Sequence, residues 1–142
     1  MVSHNIDIHN AAKCVSDALD QYKNRKLNIT NDFFISGEYK REFDGYQAAA
    51  KYYYKADFYN CNFVGKPDKA RKRVNKIVKF KTRGMIGDLF PDDGSINSGT
   101  KVVVVNTITF KDDWKNKFDK GQSYNGMFFS GPRTRRNVSL LV

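Results

Sequence analysis

Residues 101–119, KVVVVNTITFKDDWKNKFD, carry the pattern that decides the fold. Residues 102–110 are rich in β-branched and aromatic side chains, which favour extended backbone. Successive side chains of a strand point to opposite faces. One face carries Val102, Val104, Asn106, Ile108 and Phe110, and the other carries Val103, Val105, Thr107 and Thr109. Both faces are apolar as far as Val105, so we predict a central strand over 101–110 that is covered on both sides.

Asn106 is the polar residue that interrupts this apolar strand. A buried amide without a hydrogen-bond partner costs roughly 1–3 kcal/mol. The pattern therefore predicts a designated partner for Asn106. The alternative is an asparagine that lies at an exposed edge of the sheet.

Apolar spacing upstream of this strand predicts three helices and two further strands. Spacings of three and four residues indicate helices over 10–26, 38–54 and 69–83. Alternation indicates strands over 27–35 and 56–64. We expect residues 1–9 to fray. The apolar stripe of the third helix is narrow and consists of Ala70, Val74, Ile77, Val78 and Lys81.

The part of the chain after residue 110 is less regular. Asn125-Gly126 has the composition of a turn, residues 130–136 read SGPRTRR and indicate a basic loop, and residues 137–142 indicate the start of a strand. The predicted order of elements is helix–strand–helix–strand–helix–strand, followed by a β-rich part.

The net charge of +10 over 142 residues is high for one domain. Such a charge attracts acidic partners such as nucleic acid, heparin-like polyanions or anionic lipid. The cations concentrate on the predicted helix 69–83, and a second group follows at Arg133, Arg135 and Arg136. The candidate polyanion-binding residues are Lys69, Arg71, Lys72, Arg73, Lys76 and Lys79. The alternative is a solvated basic face with no dedicated partner.

Several classes of function lack the residues they need. The sequence offers no Ser-His-Asp set, phosphate loop or Cys-His pair, so we expect neither an enzyme nor a cofactor. Cys14 and Cys61 do not have metal-ligand spacing, and we expect them to be free and buried thiols. No apolar stretch reaches the roughly 18 residues of a membrane span, and no signal peptide opens the sequence. As it stands, the sequence predicts an intracellular location without a membrane partner.

Residues 74–119 resemble the serpins, a family of serine protease inhibitors. The matching positions are Asn75, Thr82, Gly84, Ile86, Asp88, Leu89, Thr100, Asn106, Phe110, Lys111, Trp114, Phe118 and Asp119. The upstream segments NDFFI (31–35) and KYYYKADFYNCNF (51–63) also resemble serpin segments. The sequence departs from the family at Ile77, Met85 and Asp112, where Trp, Lys and Gly are usual.

The resemblance implies a single partial serpin domain over 1–142. It implies an α+β fold in which three strands of sheet A pack with helices and are followed by the start of sheet C. Residues 10–26 would match helix D, and residues 69–83 would match helix F. Some serpins bind heparin through helix D, where this chain has Lys13, Lys23, Arg25 and Lys26.

The resemblance also implies a protease, serine or cysteine, as the partner of the family and the extracellular space as its common location. Full-length serpins trap the protease with a reactive-centre loop, which inserts into sheet A beside the strand matched here by 101–110. No residue of this chain matches that loop. We therefore expect a truncated, non-inhibitory member. In it, Asn106 would be buried without its family partner, a histidine from later in the chain, and would lie in a strand with one unpaired edge.

Overall fold

The computed structural model describes residues 3–23 and 26–140. The chain forms two compact units, Met1–Lys111 and Asp112–Val142, where the sequence predicts a single domain. The first unit contains all three helices and a sheet, and the second contains a hairpin. The two strands of the hairpin pair with each other within the second unit.

The first unit alternates helices and strands in the predicted order. The helices are α1 (Ser3–Lys23), α2 (Lys40–Tyr54) and α3 (Pro67–Lys81). The strands are β1 (Leu27–Ser36), β2 (Ala56–Cys61) and β3 (Val102–Phe110). A single turn of 3-10 helix, Gly37–Tyr39, precedes α2. Each predicted helix and strand of this unit therefore exists, with shifted ends.

The first helix begins at Ser3, where the sequence predicts a start at residue 10 after a frayed end. His9, one position before the predicted start, contacts α2. His9 Nδ1 lies 2.7 Å from the hydroxyl of Tyr54, and the His9 ring stacks on Tyr53 at 5.2 Å between centroids. These contacts join this part of α1 to the end of α2. The side chains of Lys23 and Arg25, two of the cations predicted at the end of this helix, lie outside the described residues.

The sheet of the first unit has the order β2-β1-β3. Strand β1 pairs with β2 in parallel and with β3 antiparallel, in a register that places Asp32 opposite Val105. The prediction that 101–110 form a central strand is therefore wrong, because β1 is central and β3 lies at the edge. The expectation that this strand has one unpaired edge is confirmed within the described residues. An apolar sequence indicates burial of side chains, but it does not reveal which strands lie on either side.

The two faces of β3 have different surroundings. Val105 is 5% exposed, and Thr107 and Thr109 on the same face are buried as well. On the opposite face Val104 is 61% exposed and Ile108 is 64% exposed, so the prediction of cover on both sides is also wrong. Helix α3 covers one face, and within the described residues no second layer covers the other side of β3.

The core of the first unit lies between α3 and the sheet. Its buried members are Phe34, Cys61, Phe63, Ala70, Val74, Val78, Ile96 and Val105. They come from all three strands or the turns beside them, from α3, and from the loop 82–101. Each fully buried Val or Phe side chain stabilises the fold by about 1.5–3 kcal/mol, so α3 and the sheet depend on each other.

The second unit is a hairpin of β4 (Tyr124–Gly131) and β5 (Thr134–Leu140). Asn125-Gly126 lies within β4 and pairs with β5, so the turn predicted at that dipeptide is wrong. The chain reverses at 132–133, and Arg135 and Arg136 lie on β5 instead of in a loop. The terminal Leu141 and Val142 lie outside the described residues. Among the helices in the described ranges, none combines the length and the apolar character needed to cross a membrane.

Candidate functional site

Helix α3 and the loop that follows it contain most of the predicted site residues. Pro67 begins the helix and Asp68 lies in its first turn, an arrangement that suits the positive end of the helix dipole. Ala70, Val74 and Val78 are buried against the sheet and Ile77 packs beside them, which confirms the predicted apolar stripe. Arg71 and Asn75 are buried as well, so the buried face of the helix is wider than the predicted stripe, and the remaining face is open to solvent.

Arg71, one of the candidate polyanion-binding residues, does not lie on the solvent-exposed face of α3. It is 7% exposed, donates to Asp68 at 2.7 Å and to the backbone oxygen of Phe90 at 3.1 Å, and lies 3.7 Å from Asp92. These contacts tie the start of α3 to the loop after the helix. Arg71 is thus engaged within the protein, and a ligand at the surface could not use it without breaking these bonds.

The other candidate cations of α3 are exposed. Lys72 pairs with Asp68 at 2.7 Å, and Arg73 donates to the backbone oxygen of Asn60 at 2.9 Å. Within the described ranges Lys69, Lys76 and Lys79 have neither a hydrogen-bond nor an ion-pair partner. The outer face of α3 therefore carries three lysines whose charges are available to solvent, and we call these residues the outer lysines.

Asn75 joins the middle of α3 to the loop 82–101. Its Nδ2 donates to Asp88 and, at 2.8 Å, to the backbone oxygen of Phe90, and its Oδ1 accepts from the amide of Phe90 at 2.9 Å. Asn75 is buried, so these bonds form away from bulk water. One buried side chain thus fixes the backbone of Phe90 through both its donor and its acceptor groups.

Thr82, Gly84 and Ile86 form the end of α3. Thr82 is buried, donates from Oγ1 to the backbone oxygen of Val78 at 2.7 Å, and accepts from the amide of Ile86 at 3.1 Å. Gly84 has a φ of +82°, which glycine adopts at no steric cost, and its amide donates to the oxygen of Lys79 at 2.7 Å. These bonds cap the helix and begin the loop. Ile86 also packs against the core.

Lys81, Asp32 and Asp57 form an ion cluster that was not predicted from the sequence. Lys81 donates to Asp32 on β1, which is 0% exposed, and at 2.6 Å to Asp57 on β2. Asp32 also accepts from the hydroxyl of Thr30 at 2.9 Å. A charge inside the apolar run of β1 and a charge in the apolar stripe of α3 were the signals that could have revealed this pair. Burial lowers the pKa of Lys81, but its hydrogen bonds to Asp32, Asp57 and Tyr59 outweigh that effect and raise the pKa well above its ordinary value.

Asn106 has partners, and it is exposed. Its Nδ2 donates to the backbone oxygen of Thr30 at 3.2 Å and to Oδ1 of Asn31 at 2.7 Å. The prediction of a buried amide without a partner is therefore wrong, because the face of β3 that carries Asn106 is open and β1 supplies the acceptors. The alternative of an exposed asparagine on an edge strand is the one that the structure supports.

The remaining motif residues lie at the surface or in loops. Thr100 closes a turn by accepting the amide of Asn97 at 3.0 Å. Phe110, Trp114 and Phe118 are exposed, and the relative exposure of Trp114 is 79%. These three aromatic residues therefore contribute little to the core of the unit in which each lies.

The cysteines are free, as predicted, but only Cys61 is buried. Burial raises the pKa of the Cys61 thiol, and the charge of Arg73 partly offsets that effect. Cys14 is exposed on α1, so the prediction of burial is wrong for it. Among the described residues no three His, Cys, Asp or Glu side chains are close enough to hold a metal ion.

Comparison with known proteins agrees with this arrangement. The family model described as Serpin (serine protease inhibitor) matches residues 2–142. Serpin B13 of Homo sapiens is 38% identical over 118 residues, which cover 82% of this chain and 29% of that protein. The chain belongs to the serpin family. It spans 29% of the length of Serpin B13 and 29% of the length of Serpin B4, both of Homo sapiens.

Solved structures place the fold within the same family. Ovalbumin from emu (Dromaius novaehollandiae) superimposes with a TM-score of 0.75 at 22% identity, over 94% of this chain and 34% of that one. Native protease nexin-1, solved with heparin, superimposes with a TM-score of 0.70 at 25% identity, over 94% of this chain and 37% of that one. The predicted serpin-like α+β fold, with three strands packed with helices, is thereby confirmed.

Proposed function

We propose that this serpin segment acts as a structural scaffold. It supplies three strands of sheet A and the helix that packs on them. Its 142 residues do not themselves trap a protease. The family's activity resides in a reactive-centre loop, and no residue here matches that loop. In a longer serpin chain, the segment would support a loop that acts on a serine or cysteine protease.

The hydrogen bonds and ion pairs that hold α3 against the sheet and the following loop are the main support for this proposal. Asn75, Thr82 and Arg71 each join the helix to the loop 82–101, and Lys81 joins it to β1 and β2. These bonds fix a helix over the sheet while β3 keeps one edge without a partner among the described residues. An assembly held by these bonds suits a structural support, whereas the reactive-centre loop that a protease attacks must be exposed and easily cleaved.

Incubation with proteases tests this proposal. The 142-residue chain is mixed with trypsin, chymotrypsin and papain, and each mixture is separated on a denaturing gel. We expect cleavage of the chain or no reaction, with full recovery of protease activity. A full-length inhibitory serpin serves as the positive control for complex formation. A complex that survives denaturation would overturn the proposal.

Polyanion binding is a second candidate function, favoured by the outer lysines. Lys69, Lys76 and Lys79 lie on one helix, are exposed, and have no partner within the described residues. Clustered lysines bind phosphate or sulfate chains by releasing counterions, with a steep dependence on salt. The heparin in the structure of protease nexin-1 shows that a related fold accepts such a ligand, although it belongs to that protein.

Elution from heparin-agarose tests the second candidate. We expect Lys69→Gln/Lys76→Gln/Lys79→Gln to elute at markedly lower salt than the wild type. The matched control, Lys40→Gln/Lys51→Gln/Lys115→Gln, removes the same charge from exposed sites elsewhere and should elute between the two. Equal shifts for the two triple variants would show that net charge, not α3, determines retention.

A further inference from the structure

A cavity of about 190 Å³ lies at the end of α3, and none of the outer lysines lines it. The antiparallel register places Asn28 of β1 beside Thr109 of β3, and both residues line the cavity. Asn28 Nδ2 donates to the backbone oxygen of Lys81 at 2.6 Å, which fixes the end of α3 over this part of the sheet. The cavity is therefore built from the ends of two strands and the turn after a helix.

The walls of this cavity are cationic. Lys26, Arg83 and Lys111 line it, and none of its lining residues is acidic. Within the described ranges neither Arg83 nor Lys111 has a side-chain hydrogen bond or an ion pair. Like charges gathered around one hollow repel each other, and an anion placed among them would relieve that repulsion.

A solvent-accessible hydroxyl completes the site. Thr109 is 9% exposed as a residue, and its side chain has no hydrogen-bond partner among the described residues. Its Oγ1 is not among the buried side-chain atoms that lack a partner, so the hydroxyl is open to the solvent of the cavity. A hydroxyl can donate to an oxyanion, so that of Thr109 is available to a ligand that accepts a hydrogen bond.

The backbone of Arg83 supports the same conclusion. Arg83 has a φ of +52°, a left-handed conformation that residues with a Cβ rarely adopt. Gly84 follows with its own positive φ, so the turn places an arginine where glycine would fit with less strain. Strained positions of this kind are often found at binding sites.

We propose that this cavity binds a single phosphate or sulfate group. The guanidinium of Arg83 suits two oxygens of such a group through paired hydrogen bonds, while Lys111 and Lys26 supply compact positive charges. The hydroxyl of Thr109 donates to a further oxygen. At about 30 Å³ for each water, the cavity has room for roughly six waters, or for one tetrahedral oxyanion with part of its hydration shell.

Titration of the full chain with inorganic phosphate, followed by amide NMR at constant ionic strength, tests this site. We expect saturable shifts that centre on residues 26–28, 83–85 and 109–111. Arg83→Gly removes the guanidinium and suits the left-handed turn, so it should fold as well as the wild type and bind phosphate at least tenfold more weakly. Lys111→Gln is a second variant that should weaken binding by severalfold.

Lys40→Gln is the matched control, since it removes one exposed positive charge that lies outside the cavity and outside the outer lysines. It should retain phosphate affinity within twofold. Equal affinity of the wild type and Arg83→Gly, or equal weakening by Lys40→Gln, would overturn the site. A parallel titration with glucosamine 6-sulfate distinguishes the source of the group. Tighter binding of the sulfate ester would assign a sulfated sugar, and tighter binding of phosphate would assign a phosphate compound.

Discussion

Lys81 of α3 and Asp32 of β1 form an ion pair beneath the helix, and the Asp32 side chain has no exposed surface. The two residues are far apart in sequence, yet their contact decides how α3 lies on the sheet. A buried carboxylate without its cation is strongly unfavourable. The pair therefore fixes the orientation of α3, although a well-packed apolar pair could be equally stable.

Removal of the lysine should reveal this dependence. We predict that Lys81→Met lowers the free energy of unfolding by about 3–5 kcal/mol, because Asp32 is left buried and unpaired. Urea unfolding followed by circular dichroism measures the change. Lys79→Met is the control on the exposed side of the same helix, and its effect should stay within about 0.5 kcal/mol. The double variant Asp32→Leu/Lys81→Met should recover most of the loss, and failure to do so would contradict the role of the ion pair.

The same pair should give stability a dependence on alkaline pH. The folded state raises the pKa of Lys81, so the stabilising charge is fully present below the unfolded pKa of about 10.4. Above that pH the contribution of Lys81 falls by about 1.4 kcal/mol per pH unit until the folded pKa is reached. The difference in unfolding free energy between wild type and Asp32→Leu/Lys81→Met, measured from pH 9 to 12, isolates this contribution. A constant difference across that range would argue against it.

The two asparagines of the family motif should differ in their importance for stability. Asn75→Ala removes a buried amide and leaves the amide of Phe90 without its acceptor, so we predict a loss of about 2–3 kcal/mol. Asn106→Ala removes an exposed amide and should cost under about 1 kcal/mol. Urea midpoints of the two variants provide the comparison, and hydrogen exchange at Phe90 reports the local effect. Equal losses would contradict the surroundings assigned to Asn106.

Neighbouring valines on β3 test which face is covered. Val105→Ala deletes buried methyl groups and should cost about 2 kcal/mol. Val104→Ala removes the same atoms from the exposed face and should change the free energy of unfolding by less than about 0.5 kcal/mol. Both variants are compared by urea unfolding. A large loss for Val104→Ala would show that this face is covered in solution.

The sequence was sufficient to predict much of the fold. The apolar stripe of α3 and the alternation of β1 and β2 depend on local spacing, which the sequence displays directly. The family resemblance added the expectation that three strands belong to one sheet, but it did not specify which strand pairs with which. The central position assigned to 101–110 failed because the sequence does not show which neighbours are present.

The candidate site was predicted less completely. Arg71 looked equivalent to its basic neighbours, and only its position against Phe90 and Asp92 separates it from them. The ion pair of Asp32 and Lys81 was not predicted, because a single charge in the apolar run of β1 and another in the apolar stripe of α3 do not by themselves show that the two residues meet. Asn106 was assigned a buried position because its strand neighbours are apolar, yet exposure depends on what covers the sheet.

Intact-mass spectrometry of the chain mixed with a serine protease tests the central claim most directly. The 142-residue chain is incubated with excess trypsin and with excess chymotrypsin, and every species is weighed at early and late times. The scaffold account predicts unmodified protease together with intact chain or its fragments at all times. A covalent adduct whose mass equals the protease plus a fragment of the chain would contradict it.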